Sequence, residues 1–291
     1  MVPFEHNAAN SICGAVFNAS SNLRSILTEV LALLQERDQN LDFLLLPDSG
    51  YVDQTVVQAL QPDFCISHSP PGPDGWVCAI IYKSNLAVRH GHLKDAAGRA
   101  VGIDLALPGP ARGKPRYHRV ITFYQPPNLD RAPEDVIDHG QPDSISLTGR
   151  TGSDLQLARR LEAERVRRLV LTWATAPSVV SCTAAGDCNE TFCGIADRLH
   201  GGKSRPGSWR FGTIHRMVCD DGWNDMYRDL HPAIDDDSAR DSWSPGHTFF
   251  YPGGGSSRID YVLTRGVDYD SATASCRVDN TGILGSDMGH R

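Results

Sequence analysis

The sequence predicts an α/β fold with its chemistry gathered at strand ends, and three observations carry that prediction. Apolar runs of strand length alternate with stretches of helical periodicity along most of the chain. Short acidic motifs stand beside such runs: Gly186-Asp187-Cys188-Asn189, Ser257-Arg258-Ile259-Asp260-Tyr261 and Ser286-Asp287-Met288-Gly289-His290-Arg291. With 291 residues, 40% of them apolar, the chain can bury a sizeable core as one large domain or two small ones. Neither a repeat nor an interdomain linker is visible, so residues 1–291 read as a single domain.

The elements follow in order. Val16-Phe17 closes an apolar segment at Asn18, after which Leu23, Ile26, Leu27, Val30, Leu31 and Leu34 recur at helical spacing, with Ser20 and Ser21 as capping residues. Leu41 to Leu46 is apolar except for Asp42 and stops at Pro47-Asp48-Ser49-Gly50, a turn composition. It reads as a buried strand delivering Asp48 to its C-terminal end. Val77 to Tyr82 and Leu86 to Val88 are the next strands, turning at Ser84-Asn85. Val101 to Leu107 and Arg119 to Tyr124 read as a strand pair. The second member stops at Tyr124-Gln125-Pro126-Pro127-Asn128, where proline terminates pairing.

Residues 130–150 read as a surface loop. From Ser153 to about Trp173 the pattern is helical, with Arg159, Arg160, Arg165, Arg167 and Arg168 expected on a solvated face rather than in a phosphate groove. Val179-Val180 starts a strand leading to Gly186-Asp187. Residues 200–216 place Lys203, Arg205, Arg210, His215 and Arg216 around Trp209, which suits a nucleic-acid backbone and a plain surface loop equally. Asp225 to His231 reads as a helix end. Thr248 to Tyr251 and Arg258 to Leu263 read as strands joined through Pro252-Gly253-Gly254-Gly255, and Gly285 to Arg291 as a loop.

Bulk properties narrow the function classes. A formal charge of −7 and a pI near 5.8 argue against broad, nonspecific coating of nucleic acid, while leaving room for a local basic groove. Eight cysteines, at 13, 65, 78, 182, 188, 193, 219 and 276, are too few for a disulfide scaffold and read as buried free thiols of a reducing compartment. Spacings of six and five among Cys182, Cys188 and Cys193 match no common zinc pattern. The chain does not open on a charged segment followed by an apolar stretch, and no apolar run approaches the roughly 20 residues of a membrane span. The expectation is an intracellular protein, nuclear or cytoplasmic, with no membrane partner.

Asp and Asn at strand ends suit a hard cation. Magnesium takes oxygen ligands and keeps several waters, so one or two carboxylates, an amide and a substrate phosphate suffice, and Asn18 with Asp48 fits that need. Hydrolysis of a phosphodiester further requires a group to orient or deprotonate water and donors to stabilise charge on phosphorus oxygens. Asp187, Asn189, Tyr124 and a histidine supply those roles. Taken singly, each such residue more often caps a turn; the ordered set is what carries the reading.

In order and separation, these segments resemble the endonuclease/exonuclease/phosphatase superfamily from about residue 11 onward. Val16-Phe17-Asn18 resembles that family's first strand with its metal-site asparagine, and Leu45-Leu46-Pro47-Asp48 its Leu-Gln-Glu segment, with an acid one methylene shorter. Tyr124-Gln125-Pro126-Pro127-Asn128 is similar to Tyr-x-Pro-Asn with one extra proline, and Gly186-Asp187-Cys188-Asn189 to Gly-Asp-Phe-Asn. Trp223 to Pro232 is similar to the Asp-x-x-Arg segment. Thr248-Phe249 and Arg258-Ile259-Asp260-Tyr261-Val262-Leu263 match the Thr-aromatic and Arg-(Ile/Val)-Asp-Tyr-(Ile/Val)-Leu strands. In the terminal motif Met288 stands where the family's histidine follows Ser-Asp, and His290 comes two residues later.

The resemblance implies a two-sheet α/β sandwich with its last strand missing, and phosphoester hydrolysis with Mg2+ or Mn2+. It implies metal ligation by Asn18, Asp48 and Asp287 and catalytic roles for Asp187, Asn189, Tyr124, Asp260 and His290. Asp260 orients His290, and Asn128 and Arg258 contact substrate. The Arg258 to Leu263 strand with the Trp223 to Pro232 segment looks most like the endonuclease domains of non-LTR retrotransposons and their abasic-site relatives. That implies DNA nicking by the N-terminal part of a longer polyprotein, with a fused reverse transcriptase as partner. The alternatives are a catalytically degenerate copy acting as a binding module, and a phosphatase of soluble phosphoesters.

Overall fold

Apolar strands that must be covered on both faces, and helices with one apolar face, assemble here into two packed sheets with helices outside. The computed structural model describes residues 2–6, 12–35, 40–107, 115–127, 129, 145–191, 198–200, 212–231, 248–250, 255–266 and 275–276. In chain order the first half holds β1 (Val2–His6), β2 (Ile12–Val16), α1 (Leu27–Gln35), β3 (Phe43–Leu46), α2 (Gln54–Leu60), β4 (Phe64–His68) and β5 (Ala79–Lys83). Next come β6 (Val88–Lys94), β7 (Ala100–Ala106), β8 (Tyr117–Tyr124), α3 (Gly152–Ala174), β9 (Val179–Asp187) and β10 (Arg198–His200). The rest are α4 (Thr213–Cys219), β11 (Asn224–Asp225), α5 (Met226–Leu230), β12 (Phe249–Phe250), β13 (Gly255–Ser257) and β14 (Asp260–Arg265).

One sheet runs β1-β2-β3-β5-β4, the other β11-β14-β9-β8-β7-β6, and β10-β13-β12 form a small third sheet. The two large sheets share a design. Each contains one parallel pair, β2 with β3 and β8 with β9, and a parallel pair needs a crossover, supplied by α1 and α3. All other pairs are antiparallel, including the expected pairing of β7 with β8.

Three apolar layers hold the sandwich. Phe43 and Leu45 of β3 face the second sheet, packing in one cluster with Val101, Ile103, Val120 and Val262. Leu44 and Leu46 of the same strand face outward, in a cluster with Val30 and Leu34 of α1 and Val56 and Leu60 of α2. A strand buried on both faces reads as a continuous apolar run, which is why this one was legible. The third layer joins the outer face of the second sheet, through Ile121, Phe123 and Ala184, to Val166 and Val170 of α3 and Ile214 of α4.

Several expectations change. Helix α1 begins at Leu27, and Ser20 and Ser21 do not cap it; both adopt left-handed backbone in the preceding turn. The strand expected at Leu86 to Val88 instead runs from Val88 to Lys94 as β6; its Arg89, His90, His92 and Lys94 hid its extent because it is an edge strand, where exposed charge is tolerated and guards against edge pairing. Helix α2 is too short to display a period, although Asp53 caps it by accepting from Val56 N–H at 3.0 Å. The arginines of α3 are not a solvated face. Arg165 holds Asp95 and Glu162 at 2.8 Å, Arg167 holds Asp221 at 2.6 Å, and Arg160 lies 3.3 Å from Glu190, so the helix is fastened through ion pairs to the loops beside it. Among the described cysteines all are free, but Cys65 and Cys219 are exposed rather than buried. The expected loop over 130–150 is described only from 145, and the basic stretch of 200–216 mostly lies outside the described residues, as do Cys193, the terminal loop and any missing last strand.

Candidate active site at the strand ends

The parallel pairs bring the ends of β2, β3, β8 and β9 to one edge of the sandwich. Register does the finer work: Tyr124 stands opposite Asp187 across β8 and β9, and Asp187 opposite Asp260 across β9 and β14. Gly186 makes this possible, because a Cβ there would lie 1.9 Å from the Phe123 carbonyl oxygen, so only glycine lets the two backbones approach at this point.

The sheets are tied together by their own site residues. Asn18 Nδ2 donates to Asp187 Oδ2 at 2.8 Å, a buried bond between residues 169 apart in sequence. Asn189, in left-handed backbone at φ 49° that asparagine tolerates, donates its N–H to Asp187 Oδ1 and its side-chain amide to the Gln125 carbonyl, both at 2.8 Å. Asp48 accepts from the Ser21 hydroxyl at 2.6 Å. Asp187, Asn18 and Asp48 are 1%, 4% and 5% exposed. The Asn18 amide, the Asn189 N–H and the Ser21 hydroxyl, all neutral donors, help to orient these carboxylates.

Tyr124 completes the group. Burial raises its phenol pKa, the Asp187 and Asp48 charges raise it further, and the Asn189 side chain and Arg99 offset this only in part. The phenol therefore stays protonated and able to donate. Its ring packs on Trp76 at 4.7 Å, and the buried Arg99 guanidinium lies 5.5 Å from the Trp76 ring and 5.8 Å from the Tyr124 ring. Arg99 also sits 3.3 Å from Glu162, whose charge counters the lowering of the guanidinium pKa by burial. The reading from sequence missed Trp76, Arg99 and Ser21. An aromatic inside the Pro-Gly-rich turn at 70–76 was the one signal available for the first.

Asp260 is buried beside Asp187, with its N–H donated to Thr248 Oγ1 at 3.1 Å. Arg258, expected to contact substrate, lies two residues before β14. It is 1% exposed, holds both Asp225 oxygens at 2.9 and 2.6 Å, and stacks over Tyr261 at 4.3 Å. It anchors the start of β14 to the N-terminus of α5, which Asp225 caps. Asn128, Asp287 and His290 lie outside the described residues.

The donor set can be tested against a metal. Asn18, Asp48 and Asp187 offer only oxygen and amide groups, which suits a hard divalent cation and not zinc. Among the described residues no three His, Cys, Asp or Glu side chains gather in metal-holding geometry. An ion here would therefore rest on one or two carboxylates, the Asn18 amide, water and substrate, the pattern magnesium uses. Among the described residues no helix is long and apolar enough to cross a membrane.

No protein-family model and no curated protein sequence matches the chain. Solved structures do. The 3' phosphatase NExo from Neisseria, bound to product DNA hairpin, is similar at 19% identity and a TM-score of 0.54, over 86% of this chain and 84% of that one. The AP endonuclease LMAP from Leishmania major is similar at 18% identity and 0.54, over 86% and 77%. The human Nocturnin catalytic domain is similar at 12% identity and 0.51, over 94% and 90%. The chain has the α/β-sandwich fold common to these proteins.

Proposed function

We propose that the chain is a divalent-metal-dependent phosphodiesterase that nicks DNA. The observation that carries this reading is the bond from Asn18 to Asp187 across the two sheets, which sets a metal-side amide against the carboxylate poised to handle water, with the Tyr124 phenol beside them. In this reading Asn18 and Asp48 hold Mg2+ or Mn2+, with Asp287 as a further ligand. When bound, such an ion neutralises charge on the phosphate and its leaving oxygen.

The remaining steps belong to the chain. Asp187, held by Asn18 and the Asn189 N–H, orients the attacking water and draws its proton. Tyr124, kept protonated by burial and neighbouring carboxylates, donates to a phosphate oxygen, and Asn189 supplies a second donor. Asp260 orients His290, Asn128 touches the strand being cut, and Arg258 anchors the chain just before Asp260 through Asp225. DNA as substrate is supported by likeness to a phosphatase solved with a DNA hairpin and to AP endonucleases. The retroelement reading, with a reverse transcriptase as partner, rests on the Trp223 to Pro232 and Arg258 to Leu263 motifs.

Supercoiled plasmid tests the proposal. With Mg2+ the purified chain converts it to the nicked form, and Asp187→Ala abolishes conversion; cleavage that survives Asp187→Ala sinks the mechanism. Met288, in place of the family's histidine, favours a second reading, a binding module without turnover, which predicts DNA retention and no cleavage with any divalent metal.

A further inference from the structure

Two consecutive serines after β2 sit in the left-handed region, Ser20 at φ 49° and Ser21 at φ 60°. Residues with a Cβ avoid this conformation, which persists only where surroundings over-determine it. Here the surroundings are the metal-side residues themselves. Ser20 N–H donates to Asn18 Oδ1 at 2.8 Å, Ser21 N–H to the Asp48 carbonyl at 3.0 Å, and the Ser21 hydroxyl to Asp48 Oδ1 at 2.6 Å.

The turn does not need that hydroxyl to hold its shape. Leu23 N–H donates to the Ser49 carbonyl at 3.1 Å, and Gly50, at φ 69°, lets the backbones close so tightly that a Cβ there would lie 2.2 Å from the Ser21 carbonyl oxygen. Backbone contacts therefore lock the 18–23 turn onto the 47–50 turn, and Ser21 itself is exposed. Its side chain is left with one evident task, fixing the rotation of a buried carboxylate.

We infer that Ser21 is a positioning residue for the divalent cation, holding the short Asp48 side chain so that its carboxylate faces the ion held with Asn18. This rests on the reading that Asn18 and Asp48 bind such an ion. Groups that orient a ligating carboxylate are worth about 10- to 100-fold in metal affinity. A serine on a left-handed backbone allows an unusually clean substitution, because glycine takes that conformation without steric cost while deleting the hydroxyl.

The test is binding of Mn2+ alone to the full chain, by calorimetry or by the electron paramagnetic resonance of free Mn2+, with thermal unfolding in parallel. Ser21→Gly is expected to raise the Kd about tenfold while leaving Tm unchanged or higher. In an Asp48→Asn background the same change is expected to add nothing, because the hydroxyl acts through the carboxylate. Wild-type affinity in Ser21→Gly overturns the inference, as does an undiminished effect in the Asp48→Asn background. Failure of the wild-type chain to bind Mn2+ sinks the metal reading and this inference with it, whereas metal binding without DNA cleavage removes only the catalytic reading.

Discussion

Replacing Arg258 by methionine separates an anchoring role from a substrate contact. The guanidinium is 1% exposed and makes two hydrogen bonds to Asp225, which is itself 4% exposed. Methionine fills much of the volume but strands a buried carboxylate, and removing one partner of such a pair costs about 3–5 kcal/mol. Loss of the stacks over Tyr261 at 4.3 Å and Tyr227 at 5.4 Å adds about 1 kcal/mol. At roughly 2–3 °C per kcal/mol for a chain of this size, Tm falls by about 8–18 °C. Thermal and urea unfolding measure this directly. Adding Asp225→Asn to Arg258→Met should recover a large part of the loss, since the stranded charge is then gone. A wild-type Tm in Arg258→Met together with lost DNA binding would refute the anchoring argument and restore the substrate contact.

Two further outcomes follow from the site. Gly186→Ala forces a Cβ against the Phe123 carbonyl oxygen, so β8 and β9 must part; a loss of about 3 kcal/mol in urea unfolding is expected, and unchanged stability contradicts the close approach. Tyr124→Phe removes a phosphate donor and should lower kcat by about 100-fold with little change in KM at neutral pH. Because the folded-state phenol pKa is raised, the unfolded state loses its proton first above about pH 10, so stability falls as pH rises through that range. Tyr124→Phe should therefore lose less stability than the wild type between about pH 10 and 11.5, as followed by denaturation at each pH.

What the sequence disclosed depended on burial. Phe43 to Leu46 was readable because both faces of β3 are covered, and Asp187 and Asp260 because a buried carboxylate at a strand end interrupts an apolar run. Edge strand β6 was read only as far as Val88 because charges fill the rest of it, and α3 misled because its arginines find acids on other elements, Asp95, Glu190 and Asp221, that no helical spacing could reveal. Ser21 looked like a helix cap because serine before an apolar period usually is one. Its partner, Asp48, lies 27 residues away and meets it only when β2 and β3 pair. Arg258 was taken as a substrate contact from the family resemblance; its position over the Tyr261 ring, near that of Tyr227, and its hold on Asp225 are tertiary facts.

In the proposed function Asn18 and Asp48 hold one divalent cation, beside the Asp187 that orients water. Crystals grown with Mn2+ and measured at the manganese absorption edge test it most directly. An anomalous peak is expected within ligand distance of Asn18 and Asp48, lost in Asp48→Asn. A fully occupied ion elsewhere, with none between these side chains, would contradict it.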